Sequence, residues 1–194
     1  MSNQVMFRRG EFVYLRPFAK ADVPALQVWM NDQDVTQYLM AVFPITEREE
    51  YEWVDKQGTN KNEVVLAIVT VEGDKLIGSI GLHAINWTSR TATTGTYIGD
   101  KEYRGKGYGT EAKMLLLDAA FNAYDLYAVL SRVMAHNAPS LAYANKCGYE
   151  EIGRIPQWIR RQNGERCDEV LLIVTQEKWR PLWQKYLEAK TSKK

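Results

Sequence analysis

Residues 103–112 read YRGKGYGTEA and set Arg104, Gly105, Lys106, Gly107, Tyr108 and Gly109 immediately before a run of helix formers. Glycine frees the backbone from steric limits, and the start of a helix leaves four N–H groups without intrahelical partners. With two side-chain cations added, such a corner can hold an oxyanion, for instance a pyrophosphate, on main-chain amides and the positive helix end. A flexible basic loop that binds nothing is the competing reading. Two familiar phosphate loops fail on spacing. Gly99 and Gly105 are separated by five residues where a Walker A loop has four, and Lys106 is followed by Gly107 instead of Ser or Thr. Gly105, Gly107 and Gly109 give GxGxG after an expected antiparallel meander, not GxGxxG after the first strand of a parallel unit.

Other chemistry-bearing residues are sparse. His83 and His136 are the two histidines, and Cys147 and Cys167 lie 20 apart with no CxxC spacing. Neither a metal site nor a disulfide framework is expected, and both cysteines read as packing residues. His83, in the strand pattern IGLHAI, has the intrinsic pKa of a general base, although a lone strand histidine also serves purely structural roles. The 25 basic and 24 acidic residues leave a formal charge of +1, so no global field gathers nucleic acid or an anionic membrane. The N-terminal MSNQVMFRRGEF lacks the apolar core of a signal peptide, and no apolar run approaches the roughly 18 residues of a membrane span. A cytoplasmic protein is expected.

The elements that must position these residues follow from periodicity. EFVYLRP reads as a strand; Asp22 reads as a helix N-cap with Pro24 in the first turn, and NDQDVTQYLM as a short helix or loop. Thr46 and Glu49 form a capping box that opens TEREEYEWVDKQ. EVVLAIVTVE and KLIGSIGLHAI form a hairpin around Gly73 and Asp74, and SRTATTGTYIGD adds a third strand whose Gly95 and Gly99 suggest a bulge or splay. The central helix runs from Gly107 to about Tyr124, then LYAVLSRVMA returns to strand. Asn137 opens a helix that Gly148 ends, YEEIGRIPQWIR and ERCDEVLLIVT pair through Asn163 and Gly164, and a last helix starts near Glu177. The order β α α β β β α β α β β α over 194 residues gives one α/β domain, with 191–194 as a frayed tail.

RTATTGTYIGDKEYRGKGYGTEA, followed about 25 residues on by NAPSLAYANKCGYEEIGR, resembles the GNAT acyltransferase superfamily, and more narrowly its branch of ribosomal-protein N-terminal acetyltransferases and related small-amine acetylases. The R/Q-x-x-G-x-G pattern at Arg104 to Gly109 and the Asn-x-x-Ser helix start with a Gly-aromatic ending, Asn137 to Tyr149, carry the likeness, which spans residues 8–178. It implies a mixed, mostly antiparallel sheet of about seven strands, splayed between the fourth and fifth and flanked by helices. It also implies that acetyl-CoA threads that splay. Tyr97 and Ile98 would then line the pantetheine, Arg104, Gly105, Lys106, Gly107, Tyr108, Gly109 and Thr110 would cradle the pyrophosphate, and Asn137 would reach the cofactor.

The activity implied is direct acetyl transfer to a primary amine, with the N–H of Ile98 as the oxyanion donor and no metal. Many members carry a tyrosine acid where this chain has Ala144; Tyr143 is rotated by about 100° from that position. Ser140, one turn earlier on the same face, is the replacement implied, and a first-turn serine bonding a free N–H is its ordinary alternative. Freeing a lysine-like amine at pH 7 costs about 4.6 kcal/mol against about 1.4 kcal/mol for an α-amine, so an α-amine needs only a weak base such as His83. A peptide or protein N-terminus is the first acceptor expected, and a small polyamine or amino metabolite the second; EREEYE is a candidate cation-binding cluster or a solvated helix face. Trp29, Tyr38, Met40, Phe43 and Trp158 are candidates for the acceptor wall, or core residues. A non-catalytic acyl-CoA sensor is the reading from a different class. RPLWQKYL reads most simply as a helix capping the sheet, with a partner helix or a dimer contact as alternatives, so monomer and homodimer both stay open.

Overall fold

Alternation in the second strand already separates two layers. Val13 and Leu15 belong to the main core, whereas Tyr14 between them packs with Ala67 and Val69 on the opposite face. The computed structural model describes residues 5–39 and 43–191. In chain order these form β1 (Arg8–Arg9), β2 (Val13–Arg16), α1 (Val23–Met30), α2 (Gln33–Thr36), α3 (Glu47–Lys56), β3 (Val64–Thr70), β4 (Leu76–Asn86), β5 (Thr91–Ile98), α4 (Tyr108–Asp118), β6 (Ala128–Met134), α5 (Ala138–Lys146), β7 (Glu150–Arg160), β8 (Arg166–Thr175) and α6 (Gln176–Thr191). The sheet order is β1-β2-β3-β4-β5-β6-β8-β7, antiparallel throughout except for β5 and β6. The short β1, beside β2, raises the strand count from the expected seven to eight.

The main core lies between the sheet and α4, with α5 and α6 joining through Ala144, Cys147 and Trp179. Ala112 and Met114–Leu117 of α4 are all buried, so the helix is covered on nearly every side. It continues through a π-helical turn at Ala119–Ala123 to the predicted end near Tyr124. On the other face α1 and α3 meet through Val23, Leu26 and Val54.

Most local signals act as read. Thr46 and Glu49 form the reciprocal capping box of α3. Gly148, at φ +89°, ends α5, with Gly148 N–H on Asn145 and Tyr149 N–H on Ala144. Gly73 and Asp74 both adopt positive φ in the β3–β4 turn. One reading is corrected and one is narrowed. Asp22 precedes α1 but its carboxylate does not cap the helix: it is buried against Arg16 through two 2.7 Å bonds and accepts the Ala19 N–H. Of the bulge or splay expected around Gly95 and Gly99, the splay is present, since β5 leaves β6 after Thr94, and the bulge is not: Gly81 and Gly95 stay in register, and the irregularity falls in β4 after His83, where Ala84 takes φ +48°.

Candidate active site

The parallel pair opens the site. β5 and β6 are in register from Thr91–Ala128 to Thr94–Ser131 and are not paired beyond it, although β5 continues to Ile98 and β6 to Met134. Past that point β4 still holds Gly95–Ile98 and β8 still holds Arg132–Met134, so each strand is secured on its outer side only. The result is a V with its vertex at Thr94. The N–H of Gly99 bonds to Ile77 on β4, and edge alternation along an antiparallel strand then turns the N–H groups of Ile98 and Thr96 into the V.

The glycine corner stands beside it. Gly105 and Gly107 take φ of +71° and +93°, and Gly107 precedes α4 with no side chain capping the helix. The first-turn N–H groups of Tyr108, Gly109 and Thr110 therefore have no intrahelical acceptor. Gly109 backs onto the Ile98 side chain, which ties the helix start to the end of β5. Arg104 braces the turn: Nε donates to the Ile98 carbonyl at 2.8 Å and an Nη to the Gly99 carbonyl at 2.9 Å. Lys106 is exposed beside it. Asn137 caps α5 by accepting the Ser140 N–H at 3.2 Å, so the Ser140 hydroxyl is not needed for the cap.

Inside the V, on the α4 side, lies a polar group that sequence reading missed. Lys113 is 1% exposed, and its Nζ donates to Thr94 Oγ1 at 2.5 Å. The ammonium lies 5.6 Å from the Tyr143 ring centroid and 5.7 Å from that of Tyr149. The buried hydroxyl of Thr96, on the next inward position of the strand, has no hydrogen-bond partner among the described residues. One charge inside the apolar run Ala112–Leu117 was the available signal.

Across the sheet, a cleft of about 480 Å³ is lined by Met30, Leu39, Ile45, Trp53 and Val65 together with Glu49, Glu50, His83 and β5 residues 95–97. His83 Nδ1 lies 2.5 Å from Glu63 Oε1, and its Nε2 overlies the paired glycines, 3.0 Å and 3.3 Å from where Cβ atoms of residues 81 and 95 would stand. Glu63, bonded through Nδ1–H, orients the ring so that Nε2 is the acceptor toward the cleft. Glu50 is 6% exposed, and no hydrogen bond or ion pair reaches its carboxylate among the described residues. Burial raises its pKa, with Glu49 adding repulsion. Burial likewise raises the pKa of the Tyr97 phenol, with the Glu50 carboxylate adding to it. Glu50 shares an i, i+4 face with buried Val54, so the EREEYE run is solvated at Glu47, Arg48 and Glu52 but not at Glu50.

Of the described residues expected to wall the acceptor, one stands near this cleft and three stand away from it. Trp29 packs edge-on against Tyr97 with centroids 6.4 Å apart, close to the cleft. Tyr38 packs tilted against His136, Phe43 is 79% exposed and Trp158 58% exposed, and none of these three is among the described residues lining the cleft. Met40 lies outside the described residues. Cys147 and Cys167 are both free, and no group of three or more His, Cys, Asp or Glu among the described residues could hold a metal ion. No described helix is long and apolar enough to cross a membrane.

Residues 13–150 match the acetyltransferase (GNAT) domain family. The chain is 27% identical over 166 residues to the uncharacterized N-acetyltransferase YnaD of Bacillus subtilis, covering 85% of this chain and 94% of that one. Among solved structures it is similar to a GNAT-family acetyltransferase from Bacillus anthracis, with TM-score 0.76, 26% identity and coverage of 89% and 99%. It also superposes on the Vibrio cholerae spermidine N-acetyltransferase solved with CoA and spermine, with TM-score 0.78, 23% identity and coverage of 86% and 97%.

Proposed function

The chain belongs to the acetyltransferase (GNAT) domain family and is an acetyl-CoA-dependent N-acetyltransferase, and on that premise we propose that it acetylates a cationic primary amine which enters the acidic cleft opposite the glycine corner. The observation that carries this reading is Glu50, a buried residue that lines the cleft and whose carboxylate has no partner among the described residues, together with the seated His83–Glu63 pair.

Acetyl-CoA, when bound, supplies an activated acyl group, and the residues present fit it. The first-turn amides of α4 with Lys106 hold the diphosphate, and the V takes the arm, whose polar atoms can meet the orphaned Thr96 hydroxyl. The N–H groups of Thr96 and Ile98, which both face the V, would be the donors to the developing oxyanion, with that of Thr96 nearer the vertex. Glu50 attracts the acceptor ammonium, and His83 Nε2 takes its proton, with Glu63 stabilising the imidazolium that forms. Asn137, three residues past the end of β6, and Ser140, in the first turn of α5, would contact the arm.

Within this reading the first acceptor is an N-terminal α-amine of a peptide with an apolar leading side chain, as in the ribosomal-protein N-terminal acetyltransferase branch. Its low amine pKa suits a histidine base, and Met30, Leu39 and Ile45 suit the side chain. A second acceptor class, a small polyamine, is favoured by the three carboxylates Glu49, Glu50 and Glu63 around one cleft. Thiol release from acetyl-CoA, measured with apolar-start peptides, acidic-start peptides and polyamines, tests the proposal. Turnover with cationic amines and little with acidic-start peptides is expected; CoA binding without thiol release for any amine would identify a sensor instead.

A further inference from the structure

A buried ammonium normally meets a carboxylate, because an isolated charge in a protein interior loses its hydration without return. Lys113 meets none among the described residues. Its neighbours are the Thr94 hydroxyl, the faces of Tyr143 and Tyr149, and the Cys147 thiol close by at the end of α5. All are neutral: burial pushes the Cys147 thiol up to about 12 and the Tyr149 phenol well above its usual value. The position of this cation matters as much as its isolation. Thr94 is the last β5 residue paired with β6, so the ammonium stands at the vertex of the V, and the Thr96 hydroxyl without a partner stands just outside it. An arm entering from the glycine corner ends at that vertex.

We infer that Lys113 is the electrostatic acceptor of the leaving group: its ammonium, framed by the hydroxyls of Thr94 and Thr96, stabilises the sulfur of CoA as a thiolate. This rests on the acetyl-CoA reading above. The acceptor ammonium first gives one proton to solvent by way of His83; the neutral amine nitrogen then bonds to the acetyl carbon, the second proton it sheds passes to His83, the carbon–sulfur bond breaks, and the electron pair remains on sulfur beside the Lys113 cation. The arrangement accounts for a chain that has Ala144 at the place of a tyrosine acid and turns Tyr143 toward the lysine instead. A cation that stabilises the thiolate removes the need to protonate it during the step.

The test compares wild type with Lys113→Met and Lys113→Gln, using free CoA and desulfo-CoA. Removing an unpaired buried charge leaves these variants folded. The thiolate absorbance of bound CoA, followed against pH, should show the thiol titrating at least one pH unit lower in wild type than in either variant. CoA binding at alkaline pH should weaken about tenfold in the variants, while desulfo-CoA binding stays within twofold. Equal titration midpoints in all three proteins would overturn the inference, as would an equal loss of affinity for CoA and desulfo-CoA, which would assign Lys113 to the arm and not to the sulfur. Failure of wild type to bind either compound would overturn the acetyl-CoA reading together with it.

Discussion

Gly81 and Gly95 face each other across β4 and β5, and the imidazole of His83 occupies the space that their missing side chains leave. A Cβ at residue 95 would stand 3.3 Å from Nε2 and 3.6 Å from Cδ2, so any branched side chain there must move the ring. The same residue sits in a regular strand, where a β-branched replacement is favourable. Gly95→Val should therefore keep or raise Tm while lowering kcat about tenfold or more. Thermal unfolding and steady-state kinetics on one preparation check this; unchanged kcat would remove His83 from the chemistry.

Glu50 gives a prediction with two signs. Its carboxyl is raised by burial and by Glu49, so ionising it opposes folding. The native state is favoured below the ordinary carboxylate pKa and loses that contribution as pH rises through the raised value. Glu50→Gln should accordingly raise Tm at neutral pH, with the gain vanishing in acid. It should also raise KM for a cationic acceptor about tenfold or more, because the ammonium loses its counter-charge. A variant that is stabilised but keeps its KM would show a carboxylate that the acceptor never meets.

Arg104 and Lys106 carry the same charge in one loop but different duties. The Arg104 guanidinium holds the carbonyls of Ile98 and Gly99, whereas Lys106 is exposed. Arg104→Glu should lower Tm by a few degrees and weaken CoA binding, since the turn beside the V loses two charge-assisted bonds. Lys106→Glu should leave Tm unchanged and weaken CoA binding in a way that added salt reduces. Calorimetric titration at two salt concentrations separates the two.

Glu111 anchors the N-terminal strands to the central helix. Its carboxylate accepts the backbone N–H groups of Glu11, Phe12 and Val13 at 2.7, 2.7 and 2.8 Å, and the Tyr186 hydroxyl at 2.6 Å. Burial, then this bond, raises the pKa of the Tyr186 phenol. Gly10 leaves room for the carboxylate, which a Cβ there would overlap at 2.4 Å. Glu111→Gln presents a donor to donors and should cost about 3 kcal/mol in denaturant unfolding. A loss below about 1 kcal/mol would mean that the β1–β2 turn holds without it.

What the residues determined on their own was local. The positive-φ glycines before α4, the Thr46–Glu49 box, the Gly148 stop and the turn at Gly73 and Asp74 each depend on backbone geometry within a few positions, and a single chain segment displays them. The same locality fails at Asp22, where a partner six residues away took the carboxylate from the helix end, and at Gly95 it left bulge and splay both open until register with Gly81 excluded the first. The partners that make a site were set only by tertiary structure. Glu63 meets His83 because β3 and β4 fix their register, Glu50 turns inward because Val54 packs α3 against α1, and Lys113 reaches Thr94 because α4 lies over the vertex where β5 and β6 part. Charges in a sequence show that a carboxylate or an ammonium exists; whether it is solvated, paired or held alone in the interior depends on which elements close around it.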